Sequence, residues 1–117
     1  WRRVCDATPG IQERIRRSRL RHGDRFLTQH TTDHHGTPLN EPIRTITTAP
    51  AHWNLVDGDR YRSLTGRELA RGQSFPDHYT WPDDLTIDQV TQGIGNAVPV
   101  QLGRIVTEVA AHAAAAA

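Results

Sequence analysis

The most constraining feature of the sequence is one apolar stripe near its end. Val98, Leu102, Ile105 and Val109 follow one another at steps of four, three and four, which puts them on one face of a helix. Asn96 is placed to cap that helix, and Pro99 falls where a missing N–H is tolerated. Arg104 and Glu108 are spaced to pair on the exposed side, and the tail from Ala110 to Ala117 favours helix without adding specificity. A face of this kind needs an apolar partner, and the rest of the chain offers mainly short strands. Apolar residues make up 36% of 117 residues, so any core that the chain builds alone is small. The sequence predicts an α+β chain of one domain at most, whose last helix has no obvious cover of its own. It contains no methionine and opens on Trp1, which reads as a piece of a longer protein.

Fourteen basic residues stand against thirteen acidic ones, so net charge does not by itself select nucleic acid as a partner. All fourteen are arginine, the planar fork suited to phosphates, carboxylates and base edges. No run approaches the roughly 18 apolar residues of a membrane helix, and no charged start leads into an apolar leader. The single cysteine, Cys5, excludes an internal disulfide and the usual thiolate zinc site, and fits a reducing compartment. It lacks a Pro-Cys or Cys-His setting and reads as an ordinary thiol. His30, Asp33, His34 and His35 are metal-capable, but in a polar loop without thiolates they read as chance clustering, and no metal site is expected.

Residues 9–22 are patterned as a helix, with Ile11, Ile15 and Leu20 as a thin stripe among five arginines, and Gly23 as the stop. The arginines read first as a solvated face and second as phosphate contacts. Short strands are expected at residues 26–30, at 43–48 as an edge strand between Pro42 and Pro50, and at 53–56. The last of these runs into an Asp57-Gly58 turn and returns at residues 60–62, while 31–41 reads as loop. Thr65-Gly66-Arg67-Glu68 has the form of a capping box opening a helix to about Gln73. A loop pinned by Tyr79 and Trp81 follows, then one or two helical turns at residues 86–91. Gly93-x-Gly95-x-x-Val98 is a fragment of a dinucleotide fingerprint without its buried strand. It reads instead as a tight glycine turn feeding a helix N-terminus, where free N–H groups favour an anion or carboxylate.

Two stretches match a longer pattern. Arg62-Ser63-Leu64-Thr65-Gly66-Arg67-Glu68-Leu69-Ala70-Arg71-Gly72-Gln73-Ser74-Phe75-Pro76-Asp77-His78-Tyr79 is followed, some fifteen residues later, by Ile94-Gly95-Asn96-Ala97-Val98-Pro99. Together they closely resemble the last two motifs of DNA cytosine-5 methyltransferases, Leu-Thr-x-Arg-Glu-x-Ala-Arg-x-Gln-x-Phe-Pro-Asp-x-Tyr and Ile-Gly-Asn-Ala-Val-Pro. Residues 39–48 resemble the stretch that this family places before the first of them. Gly72 stands where leucine is common, and Gly93 separates Gln92 from Ile94 where the family usually joins them.

In such enzymes a cysteine thiolate adds to C6 of a cytosine swung out of the duplex, a glutamate supports the ring nitrogen, and C5 takes a methyl group from S-adenosylmethionine. The family's Pro-Cys loop, Glu-Asn-Val motif and Phe-x-Gly-x-Gly cofactor turn do not occur in this sequence, so no catalytic residue is assigned to it, Cys5 included. The resemblance implies that Asn96 and Ala97 close over S-adenosylmethionine near its methionine end. Thr65, Arg67 and Glu68 are implied to be structural, with Arg67 and Glu68 as a buried ion pair beside the capping threonine. Arg44, Thr47, Thr48 and Arg60 fall where DNA contacts are expected. Residues 1–63 would be part of a target-recognition region. Residues 64–117 would carry the motifs and the terminal helix, which would pack on a Rossmann-like S-adenosylmethionine domain absent from this chain. The partners implied are double-stranded DNA and an N-terminal catalytic part, in cis or in trans, in a bacterial or phage-infected cytoplasm with no membrane involved. The alternative is a non-catalytic DNA-binding chain or the smaller subunit of a split methyltransferase.

Overall fold

In the computed structural model, which describes residues 1–31, 34–49 and 51–116, helix α1 spans Pro9–His22 and closes on Gly23 at φ 74°. Its inward side carries Ile11, Ile15 and Ser18. Leu20 does not belong to that stripe and is 78% exposed, because nine residues beyond Ile11 is the opposite side of an α-helix. Ser18 is small for a reason. Gly36 passes so close that a Cβ on it would lie 2.9 Å from both Ser18 and His22, and its φ of 83° independently favours glycine.

Strands β1 (Arg2–Arg3), β2 (Arg25–Gln29), β3 (Trp53–Asp57) and β4 (Arg60–Ser63) form an antiparallel sheet in the order β1-β4-β3-β2. Phe26, Val56 and Tyr61 stand opposite one another in register across three strands, and with Ile15 they make the buried core, edged by Val4, Ala7 and Ile11. The β3–β4 turn is Gly58-Asp59, one residue beyond the dipeptide expected, because Asp57 pairs with Arg60 and Gly58 takes the positive φ of a primed hairpin turn. Strand β1 is too short to be patterned. It is followed by a 3-10 turn at Val4–Asp6, tied down by Val4 N–H to the Asp59 carbonyl at 2.8 Å.

The strand expected at residues 43–48 is not formed. Thr37 already occupies part of the outer edge of β2, exchanging two 2.8 Å hydrogen bonds with Leu27. The Thr45 carbonyl instead accepts from the side chains of Gln29 (3.4 Å) and Trp53 (3.2 Å). Pro50, the second bracket of that expected strand, lies outside the described residues.

These elements form one compact unit, Trp1–Thr45 with Ala49–Thr65; a second comprises Ile46–Thr48 with Gly66–Ala117. In the second, helix α2 (Gly66–Gly72) ends with Ser74 at φ 61°, Phe75 N–H bonded to the Ala70 carbonyl and Ser74 N–H to the Arg71 carbonyl. That is a Schellman ending in which serine holds the left-handed position usually given to glycine. The loop after it is built from stacked rings: Phe75 on Tyr79 at 5.0 Å, Tyr79 on Trp81 at 5.3 Å, and the Arg67 guanidinium over Trp81 at 4.7 Å. Arg71 grips Asp77 with two hydrogen bonds, at 2.6 and 3.0 Å.

Helix α3 (Ile87–Asn96) is longer than the one or two turns expected. Thr86 and Gln89 form a reciprocal capping box at its start, and the helix runs through Gly93 and Gly95. Those glycines therefore do not make a turn. Helix α4 (Val100–Ala115) starts after Pro99, which holds the cap position with no side-chain cap bond.

Candidate functional site

The segment between α3 and α4 brings the two motif stretches together. Asn96 is the last residue of α3 and does not cap α4. Pro99 explains the difference: it disfavours helical backbone at Val98, so Asn96 cannot lead directly into a helix and α4 begins at Val100. Ala97 is extended, at φ −74° and ψ 143°, with its N–H returned to the Ile94 carbonyl. Asn96 is exposed and Ala97 half-buried. The expected anion site at a helix N-terminus is thus displaced from Asn96, and the first N–H of α4, on Val100, is already bound to the Gln73 carbonyl at 3.0 Å.

Gln73 is the residue that sequence reading missed. It is 7% exposed and sits at the end of α2, where its Nε2 donates to the carbonyls of Ile94 (3.1 Å) and Ala97 (3.3 Å). One residue therefore fixes the end of α3, the extended Ala97 and the start of α4. Only its place in the motif singled it out. A second constraint comes from Gly95, where a Cβ would lie 2.6 Å from the Thr47 carbonyl carbon and 2.7 Å from Thr47 O and Thr48 N. Residues 46–48 lie directly on α3, with Ile46 buried.

The other expected site residues are distributed as follows. Thr65 is exposed, whereas Arg67 and Glu68 are half-buried on α2. Arg67 keeps Nη1 buried without a hydrogen-bond partner and lays its guanidinium on Trp81. Thr48 is exposed, while Thr47 is half-buried, with its hydroxyl shielded. Arg44 and Arg60 are exposed but line separate depressions. Arg44 borders one of about 320 Å³ with Arg21, His22, His35 and Glu41, and Arg60 shares the other with Trp1 and Asp57. On α1, Arg16 and Arg17 face Glu13 at 2.8 and 3.4 Å, and Arg19 donates to the Gly58 carbonyl at 2.7 Å. These contacts favour the solvated, structural reading of that arginine run for three of its five members.

His34 is a structural histidine. It is 6% exposed, meets Trp53 edge-on, and its Nδ1 accepts from the N–H groups of Gln29 (3.1 Å) and Gly36 (3.3 Å). The ring proton therefore sits on Nε2, which faces the Thr37 hydroxyl at 3.3 Å. Among the described residues no group of three or more His, Cys, Asp or Glu is placed to hold a metal, and Asp33 lies outside them. Burial, reinforced by the charges of Arg44 and Arg14, holds His34 below the ordinary histidine pKa. The neutral ring is the folded form, and the unfolded chain takes up its proton near pH 6.5. Stability from His34 is therefore fully present above about pH 6.5 and is lost as pH falls through the lower folded-state value. The thermal midpoint should drop between about pH 7 and 5, and His34→Gln should flatten that drop; an unchanged slope in the variant would contradict the assignment.

A family model of C-5 cytosine-specific DNA methylases matches residues 5–112. No curated protein matches the chain, and no solved structure does.

Proposed function

This chain belongs to the C-5 cytosine-specific DNA methylase family, and we propose that it is the part of such an enzyme that closes over S-adenosylmethionine and borders the DNA-reading region. The part bearing the Pro-Cys nucleophile is supplied in cis or in trans. The observation that carries this reading is the junction made by Gln73, through which the two family stretches fold into one turn. The residues present suit the cofactor's methionine end. The exposed Asn96 carboxamide supplies a donor and an acceptor, and the backbone beside it is already bonded and so held in place. When bound, the cofactor supplies the methyl group destined for C5 of cytosine. Asn96 and Ala97 would hold it, while Arg44, Arg60 and Thr48 are exposed for phosphate or groove contacts. Thr47, half-buried with its hydroxyl shielded, backs its neighbour Thr48, and Thr65, Arg67 and Glu68 fix the start of α2.

Incubating the chain with labelled S-adenosylmethionine and cytosine-containing duplex should leave the DNA unlabelled, because the thiolate and its supporting acid are not among these residues. Adding the Pro-Cys-bearing part should restore labelling. Asn96→Ala in that assembly should weaken cofactor binding about tenfold, the size of one hydrogen bond to a charged group. Labelled DNA from the chain alone, or no gain on adding the second part, would overturn the reading.

A further inference from the structure

We propose that Gln73 is a positioning residue for the cofactor, holding Asn96 in its binding geometry from the far side of the turn. The inference rests on the reading of Asn96 and Ala97 as cofactor residues. Gln73 brackets Asn96 by bonding the carbonyl two residues before it and the carbonyl one residue after it. The Gln73 carbonyl also takes the Val100 N–H, so the turn is tied at both ends to the same residue. From the other direction Gly95 is pressed against the Thr47–Thr48 backbone, which removes the freedom of α3 to slide. Asn96 itself stays exposed, free to meet a ligand while its backbone is fixed. The Schellman ending of α2 sets Gln73 at the helix C-cap, where its side chain turns back toward these carbonyls. Helix α2 is thereby linked to cofactor affinity without touching the cofactor.

The test uses the methyltransferase assembled from this chain and its catalytic part. Gln73→Met keeps length and packing but removes both donated bonds. It should raise the dissociation constant and KM for S-adenosylmethionine about five- to tenfold, leave kcat within about twofold, and leave the KM for DNA unmoved. Combined with Asn96→Ala, it should add less than about twofold to the effect of Asn96→Ala alone, since both remove the same contact. Gln73→Glu offers a second variant. Its carboxylate repels the two carbonyls, whereas its protonated form can donate to one of them, so cofactor affinity should recover as pH is lowered. A lowered melting temperature with unchanged cofactor affinity in the folded enzyme would make Gln73 merely structural and overturn the inference. Effects that multiply in the double variant would do the same. Asn96→Ala weakening the cofactor while Gln73→Met does not would sink the inference alone. An inert Asn96→Ala would sink the assignment of Asn96 and the inference with it.

Discussion

Replacing Gly95 by alanine is expected to destabilise the chain by about 2–3 kcal/mol, although alanine is the better helix former by about 1 kcal/mol. The reason is local and steric. The added Cβ would stand 2.6–2.7 Å from three backbone atoms of Thr47 and Thr48, and backbone cannot rotate aside as a side chain can. Either residues 46–48 lift, exposing Ile46, or α3 shifts and strains the hydrogen bonds from Gln73. Gly93, two residues earlier in the same helix, has nothing within 4 Å of its own Cβ position. Gly93→Ala should therefore stabilise, by about 0.5–1 kcal/mol, through helix propensity alone. Two identical substitutions in one helix thus have opposite signs, and thermal unfolding of both variants decides the matter. Equal shifts in the same direction would mean that residues 46–48 do not lie on α3.

That pair of glycines also marks where sequence reading stopped working. Helix α1 was legible because three independent signals agreed: the apolar period, Pro9 at the start and Gly23 at the end. Strands β3 and β4 were legible because a glycine turn signal joins two short strand patterns into a hairpin, and β2, which pairs with β3 without a hairpin, was legible only as a short strand. Residues 43–48 carry the same β-branched signature, yet a strand also needs a free edge, and the bonds between Thr37 and Leu27 consume part of it. No local pattern reports that. The start of α3 was legible near residue 86, where Thr86-x-x-Gln89 repeats the signal seen at Thr65, but its extent was not, because the two glycines suggested a turn. At Gly95 the glycine serves close approach rather than bending. Asn96 was misplaced because Asn followed by apolar residues suits a cap as well as a helix end. The choice fell to Pro99, acting through Val98. Gln73 could be read only as a letter of a family motif, because its partners Ile94 and Ala97 lie more than twenty residues away.

The largest effect of all is expected on α4. Its apolar face is Leu102, Ile105, Val106 and Val109; Val98, counted with that stripe from the spacing, precedes the helix and lies in the extended segment. Every one of these side chains is more than half exposed, Leu102 and Ile105 at 52% each, and α4 contains no buried residue. A continuous face of this size does not stay in water without consequence. Covering the exposed half of each side chain is worth about 1 kcal/mol, and placing a charge there instead adds the cost of desolvating it. Leu102→Asp with Ile105→Asp should therefore leave the thermal midpoint of the free chain almost unchanged, since neither residue supports its core. The same double variant should weaken association with the catalytic part by about 3–5 kcal/mol, roughly two to four orders of magnitude in the dissociation constant. It should also abolish concentration-dependent self-association of the free chain. Sedimentation of the free chain and titration of the two parts separate these effects. A wild-type chain that stays monomeric at all concentrations, together with an aspartate variant that assembles normally, would show that α4 needs no cover and that the chain does not act through this face.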